Sequence, residues 1–262
     1  MAYVLGYIVA DGCIIKRKNR KESYVLNITS KDRQHLYKIK KVLESEHSIS
    51  EKQNTQGQES YQLQITNTAI CKDLLSLGVV PRKTYLPISL IDIPDSYFAD
   101  FFRGFFDGDG TVYVYEVNGT PQIKATLTST DDRFLENINT KLCKLLHLSP
   151  KKVHKVNLSN LNKYDNFIRK INLYKTHYYV EDCEKLGEYM YNHNPQLYLE
   201  RKRRVFEKWK AIQRRSYRKQ NYPSKIGWKL RKNTQLIRAR SSDGQSASLT
   251  SKRSQVQVLP GP

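Results

Sequence analysis

The nine residues VLGYIVADG at positions 4–12 return in altered form as FRGFFDGDG at 102–110, 98 residues further along the chain. Each copy sets two small residues four apart, Gly6 with Ala10 and Gly104 with Gly108, and each breaks at an Asp-Gly pair. Residues at that spacing share one face of a helix, and small ones let two backbones approach closely. The repeat continues downstream. Thr29-Ser30 corresponds to Thr128-Ser129, and Leu36 and Leu43 to Leu135 and Leu142, at an offset of 99. One residue of drift is what a changed loop length produces, so the chain reads as two homologous halves.

Each half parses in one order: a glycine-bearing helix, two strands, an amphipathic helix, two more strands and a closing helix. The strands show period-two alternation. Tyr24, Leu26 and Ile28 oppose Val25, Asn27 and Thr29, while Tyr61, Leu63 and Ile65 oppose Gln62, Gln64 and Thr66. In the second half Ile123, Ala125 and Leu127 oppose Gln122, Lys124 and Thr126. Asp32 and Asp131 stand where helix N-caps are needed. The predicted class is α+β, with two αββαββα units at 1–92 and 93–212, each packing helices on one side of an antiparallel sheet. Residues 213–262 lose this periodicity and are expected to be a basic, disordered tail.

The 262 residues carry 45 Lys and Arg against 25 Asp and Glu, a net charge of +20, which is the footprint of a polyanion partner. No apolar run is long enough to span a bilayer, and the opening lacks the pattern of a signal peptide. The expected partner is therefore nucleic acid in an intracellular setting, with no membrane. Residues 201–240 hold 16 Lys or Arg and one acid, Glu207, so the remainder is only mildly basic and must act through the placement of its charges. The stretch QRRSYRKQNYPSKIGWKLRKN suits phosphates and base stacking, or equally a disordered arm, and the Ser-rich end looks like the conceptual translation of a tRNA gene. The four cysteines lie far apart without metal-site spacing, and the six histidines form no spaced cluster.

The polar strand positions Asn27, Gln62, Gln64, Gln122, Lys124 and Thr126, with Lys16 and Lys18 of the first hairpin, are candidate DNA contacts. Side chains of these types read base edges. One such strand could be an ordinary solvated face; several of the same character in a basic chain point to nucleic acid.

A lone Asp-Gly pair is usually a turn or a helix C-cap with a left-handed glycine. Here two such pairs end two helices whose small-residue faces suit mutual packing, which would make Asp11 and Asp109 neighbours. Two carboxylates about 4 Å apart repel by roughly 4 kcal/mol at an effective dielectric near 20. Each also meets the negative end of its own helix. Divalent cations remove the conflict. Mg²⁺ prefers carboxylate oxygen and keeps water and phosphate as further ligands, which suggests phosphodiester hydrolysis.

With both motifs and the repeated architecture in hand, the chain resembles the LAGLIDADG homing endonucleases in their single-chain, two-motif form. The resemblance spans residues 1 to about 210. It implies two pseudo-twofold domains whose saddle of sheets lies over the DNA major groove. It also implies that Asp11 and Asp109 bind Mg²⁺, two or three ions in all with one shared. Each site would cut one strand across the minor groove of a long, asymmetric target, leaving a short 3′ overhang, and the enzyme would act as a monomer.

The resemblance further implies a lysine ahead of the last helix of each half: Lys83 in VVPRKTYL and, in YLERKRRVF, Lys202 in preference to Arg201. Ser30 and Ser129 stand where family members often carry a longer water-ordering residue, so helix capping is an equal reading. The sixth motif position, usually acidic, is Val9 in one copy and Asp107 in the other; it is expected to serve helix packing rather than metal binding. Some relatives act as maturases on their own intron RNA and others as DNA-binding regulators that have lost cleavage, and loss of a motif aspartate would favour those roles. Both aspartates are present.

Overall fold

The first half runs α1 (Ala2–Asp11), β1 (Gly12–Lys16), β2 (Tyr24–Ser30), α2 (Arg33–Val42), β3 (Ile49–Gln53), β4 (Glu59–Ile65) and α3 (Thr68–Ser76). The second repeats it as α4 (Asp95–Asp109), β5 (Gly110–Val117), β6 (Thr120–Ser129), α5 (Asp132–Leu146), β7 (His154–Lys155), β8 (Tyr174–Tyr179) and α6 (Val180–Tyr191), and α7 (Glu200–Asn221) follows. This computed structural model describes residues 1–17, 23–53, 57–81, 86, 88, 92–157 and 172–221, with side chains through 213. Lys18, Lys83 and the end of the chain from 222 lie outside the described residues. The two halves together form one compact unit, Met1–Ala211.

Both sheets have the same antiparallel order, β1-β2-β4-β3 and β5-β6-β8-β7. Identical order in two segments of unrelated length is what the repeat in the sequence requires. The register fixes the faces: Ile14 pairs with Leu26 and Leu26 with Ile65, while Asn27 pairs with Cys13 on one side and Gln64 on the other. Leu26, Ile28 and Leu63 are fully buried under α2, whose buried stripe is His35, Leu36 and Ile39. In the second half Ile123, Ala125, Leu127 and Tyr178 lie under α5, whose buried positions include Phe134, Leu135, Ile138 and Leu142. Each such apolar side chain withdrawn from water contributes about 1.5–3 kcal/mol.

The opposite faces are mixed, with Gln64 exposed and Val25, Gln62 and Thr126 buried. The first sheet presents Cys13, Ile15, Asn27, Gln62 and Gln64 by register, and the second presents Tyr113, Gln122, Lys124, Thr126 and His177. All six strand positions expected to contact DNA share these faces by register, although Gln62 and Thr126 are buried. Lys16 does not: it pairs with Tyr24 on the register side of Ile14, at the exposed end of β1. A one-residue difference in a strand reverses the face.

Between the halves, α1 and α4 pack on each other along most of α1. Tyr3, Val4, Tyr7, Ile8, Val9 and Ala10 are all buried, so α1 has no solvent stripe, as befits a helix enclosed on every side. α4 is half a helix longer and adds a stack of phenylalanines, with Phe98 6.1 Å from Phe101 and 6.3 Å from Phe102 between ring centroids.

Candidate active site

A Cβ built on Gly6 would stand 2.0 Å from the carbonyl oxygen of Phe101 and 2.8 Å from the nitrogen of Phe105. On Gly104 it would stand 2.0 Å from the oxygen of Tyr3 and 2.9 Å from the nitrogen of Tyr7. Tyr3 and Tyr7 are the repeat equivalents of Phe101 and Phe105, so each glycine lies on the same stretch of the other helix. The crossing is a pseudo-twofold axis with backbone against backbone. Near the helix ends a Cβ on Gly108 would fall 2.2 Å from Cβ of Ala10 and 3.4 Å from the Asp11 carboxyl carbon and Oδ2. The contact therefore extends to the last turn of both helices and sets Asp11 against the end of α4.

The glycines after the aspartates are not left-handed caps. Gly12 has φ −86° and ψ 159°, and Gly110 has φ −84° and ψ 154°, so each continues directly into a strand. Crowding is the reason for glycine there: a Cβ would lie 2.7 Å from Ile8 Cγ2 at Gly12 and 2.5 Å from Phe106 Cδ2 at Gly110. The chain turns from helix to strand within one residue, which presents the aspartate on the rim between the two.

Asp11 is exposed and Asp109 half-buried. Asp11 opens into a cleft of ≈ 930 Å³ lined also by Tyr7, Ser30, Lys31, Arg33, Gly108 and Arg201. Asp109 lines a cleft of ≈ 160 Å³ with Val9, Ala10, Ile88, Thr128, Ser129 and Leu173. Equivalents recur in both, Gly108 with Ala10 and Thr29-Ser30 with Thr128-Ser129, so the two clefts are one design written twice. Their charge differs. Among the described residues the Asp11 cleft has three cationic side chains and the Asp109 cleft none.

Neither α1 nor α4 carries a basic residue in its last turn. Lys202 supplies that charge to α4 from α7. Its buried Nζ donates to the carbonyl oxygens of Phe106 at 2.6 Å, Asp107 at 2.6 Å and Gly110 at 2.5 Å, satisfying backbone acceptors the helix end leaves open. Burial pulls the ammonium down to about 8, opposed by the attraction of Asp107, Asp11 and Asp109. The lysine is thus within electrostatic reach of both motif aspartates. Its three ammonium protons are taken up by these carbonyls, so the amine faces the backbone at the end of α4. Arg201, its neighbour, is the side chain that lines the cleft beside Asp11.

Tyr7 is hydrogen-bonded with Asp11, to which its single hydroxyl proton goes because a carboxylate only accepts, and its oxygen lies 3.1 Å from Ser30 Oγ, which donates to it. Burial, then the Asp11 charge, pushes its phenol well above the usual tyrosine range. Ser30 Oγ in turn accepts from the nitrogen of Asp32, and Ser129 Oγ from that of Asp131, both at 3.1 Å, so each serine braces the turn before an N-cap. Asp32 and Asp131 cap α2 and α5 by accepting from the nitrogens of His35 and Phe134. Asp107 is buried and accepts from Tyr3 Oη at 2.7 Å and the Leu199 nitrogen at 2.8 Å. Burial raises its carboxyl above the ordinary aspartate range. It is a packing residue directed away from the clefts.

The profile of the LAGLIDADG-like domain matches residues 1–77 and 96–177, one stretch in each half. The chain belongs to the LAGLIDADG family. Solved family structures have the same fold. The LAGLIDADG homing endonuclease I-GzeII, solved with its DNA target, superposes with TM-score 0.55 at 14% identity, over 87% of this chain and 94% of that one. A variant of I-SmaMI gives TM-score 0.55 at 14% identity over 93% and 99%. I-LtrWI, bound to target DNA, gives 0.50 at 13% identity over 93% and 97%. A search of curated proteins found no match.

As a LAGLIDADG chain, its two motif helices bring together Asp11, Gly108 and the Asp109 end of α4, and α7 adds Lys202 and Arg201 to the same region. Arg201 was the weaker choice by sequence because two adjacent basic residues on a helix differ only in phase, about 100° of rotation. Tyr113, His154, His177 and Tyr179 on the second sheet also escaped sequence reasoning. The alternation Lys175, His177, Tyr179 in YKTHYY was the available signal.

Proposed function

We propose that this LAGLIDADG chain is a site-specific, Mg²⁺-dependent DNA endonuclease that cuts both strands of a long asymmetric duplex. The observation that carries the reading is the pair of motif aspartates held at the ends of two helices in backbone contact, each opening into its own cleft. Halves 1–92 and 93–212 contribute one aspartate each. I-GzeII and I-LtrWI, which share the fold, are DNA-bound in their structures.

The donor set fits Mg²⁺. Among the described residues no three His, Cys, Asp or Glu side chains converge, and a metal held here would take Asp11 and Asp109 as its protein ligands and complete its shell with water and phosphate. The ≈ 930 Å³ beside Asp11 leaves room for those ligands. Two or three ions shared between the aspartates would activate water and neutralise charge at the phosphate. Around them, the chain's own groups have separate tasks. Tyr7 holds the Asp11 carboxylate, Lys202 neutralises the carbonyl end of α4, and Arg201 with Lys31 and Arg33 attracts the phosphate into the first cleft. The proposed base readers are Asn27, Gln62, Gln64, Gln122, Lys124 and Thr126.

The test is a supercoiled plasmid carrying the uninterrupted locus, that is, the flanking genomic DNA joined without the insertion that encodes this chain, incubated with the protein in Mg²⁺ or in EDTA. Linear product in Mg²⁺ only is expected. Tight binding with no cut product under either condition would instead indicate a non-cleaving regulator or a maturase for its own intron RNA.

A further inference from the structure

The face of the second sheet opposite its helices differs in kind from that of the first. Register sets Tyr113, Lys124 and Tyr179 in one row across β5, β6 and β8, and Thr111, Thr126 and His177 in the next. The corresponding rows of the first sheet are Ile15 with Val25, then Cys13, Asn27 and Gln64, with no ring among them. On the second sheet the side chains are already arranged. Lys124 Nζ lies 5.4 Å from the centroid of the Tyr179 ring, and Thr126 Oγ1 is 3.0 Å from His177 Nδ1. The His154 and His177 rings stack at 6.3 Å, with His177 and Tyr179 at 6.4 Å. Tyr113 and Tyr179 nonetheless remain 44% and 49% exposed.

Aromatic rings clustered and exposed on a sheet face mark a contact surface. A lysine held against a ring and an imidazole tied to a threonine have lost less freedom to binding than free side chains would, so contacts they make keep more of their free energy. The groups facing His177 are Lys124 from β6, Lys175 on its own strand and His154 from β7, all basic, with Tyr113 from β5 on the neighbouring row. Burial, then Lys124, His154 and Lys175, keeps the imidazole below its ordinary range, so the ring is neutral at pH 7. With Nδ1 engaged by Thr126, Nε2 is its remaining hydrogen-bonding atom.

Resting on the endonuclease reading above, we propose that His177 and Lys124 are the specificity-determining pair for the half-site under the second sheet. Lys124 reads a guanine through O6 and N7, and His177 reads a neighbouring base pair through Nε2, while the Tyr113 and Tyr179 rings contact thymine methyl groups. Adjacent rows on a strand are about 6.7 Å apart, so the two reading positions lie within about two base steps. The first half-site is read by amides, which pair with adenine. The target is thereby asymmetric in chemistry as well as in sequence.

Binding-site selection from a randomised duplex library, with wild type, Lys124→Met, His177→Ala and Thr126→Val, tests this. Wild type should enrich guanine at one position of one half-site. Lys124→Met should lose about 5- to 150-fold of discrimination there, and His177→Ala a similar factor at a different position within two steps. Thr126→Val, which keeps the ring but not its anchor, should weaken the His177 position alone. Unchanged preferences in the first two variants, or loss spread evenly over all sequences, would overturn the proposal while leaving the endonuclease reading intact. A wild-type protein that enriches no duplex would contradict the endonuclease reading itself.

Discussion

Arg201 and Lys202 are adjacent cations with opposite surroundings. Arg201 lines the Asp11 cleft, and Lys202 is 3% exposed with its amine on three carbonyls. Replacing Lys202 with Met would strand those acceptors, at about 1–3 kcal/mol for each one left buried and unpaired, and should lower thermal stability before it affects chemistry. Arg201→Ala should leave the melting temperature near wild type and slow one strand's cleavage more than the other's, because among the described residues only the Asp11 cleft is cationic. Accumulation of nicked circle from supercoiled plasmid measures this; equal slowing of both strands would contradict it. The two aspartates were legible in the sequence because their chemistry repeats. The roles of the two cations were not, since helix phase decides them.

At the scale of elements, the crossing of α1 and α4 has no slack. Gly6→Ala or Gly104→Ala would bring a methyl to 2.0 Å from a backbone oxygen, and backbone cannot rotate aside as a side chain can. The loss should reach or exceed the roughly 1–3 kcal/mol of ordinary overpacking. Urea unfolding checks it, and a variant as stable as wild type would show that the helices are further apart than described. The alternation of β2, β4 and β6 and the capping aspartates made the helices and most strands readable in advance. β7 and β8 were expected from the repeat but not located: β7 is only two residues, KVNLSNLNKYDNFIRKIN before β8 carries neither period, and the short alternation within YKTHYY was passed over. The extended glycines at 12 and 110 were missed for a different reason. Asp-Gly favours a turn locally, but contacts with Ile8 and Phe106 four residues back required glycine for space.

Across the molecule, the twofold repeat is broken by a buried chain of hydrogen bonds that joins the halves. Tyr3 donates to Asp107, so its oxygen accepts from Nε2–H of His35 at 2.9 Å, and His35 Nδ1 is buried without a hydrogen-bond partner among the described residues. Phe101, the equivalent of Tyr3, has no hydroxyl to repeat the link. Burial holds His35 at about 4 against an ordinary 6.5, so the folded state favours the neutral ring. Its contribution is complete above pH 6.5 and is lost as pH falls through about 4, an effect of up to about 3 kcal/mol. The difference in unfolding free energy between wild type and His35→Phe should therefore change over that interval and be flat above it; a pH-independent difference would contradict the buried neutral imidazole.

The central claim is that the ends of α1 and α4 form paired cutting centres. Its most direct test is single-turnover cleavage of the uninterrupted-locus duplex in Mg²⁺, each strand labelled separately, by wild type, Asp11→Asn and Asp109→Asn. Wild type should cut both strands. Each variant should lose double-strand cleavage by at least about 10²-fold, since even groups one layer out from a metal are worth 10–100-fold, while binding the duplex with near wild-type affinity. Either variant severing both strands at the wild-type rate would contradict the account.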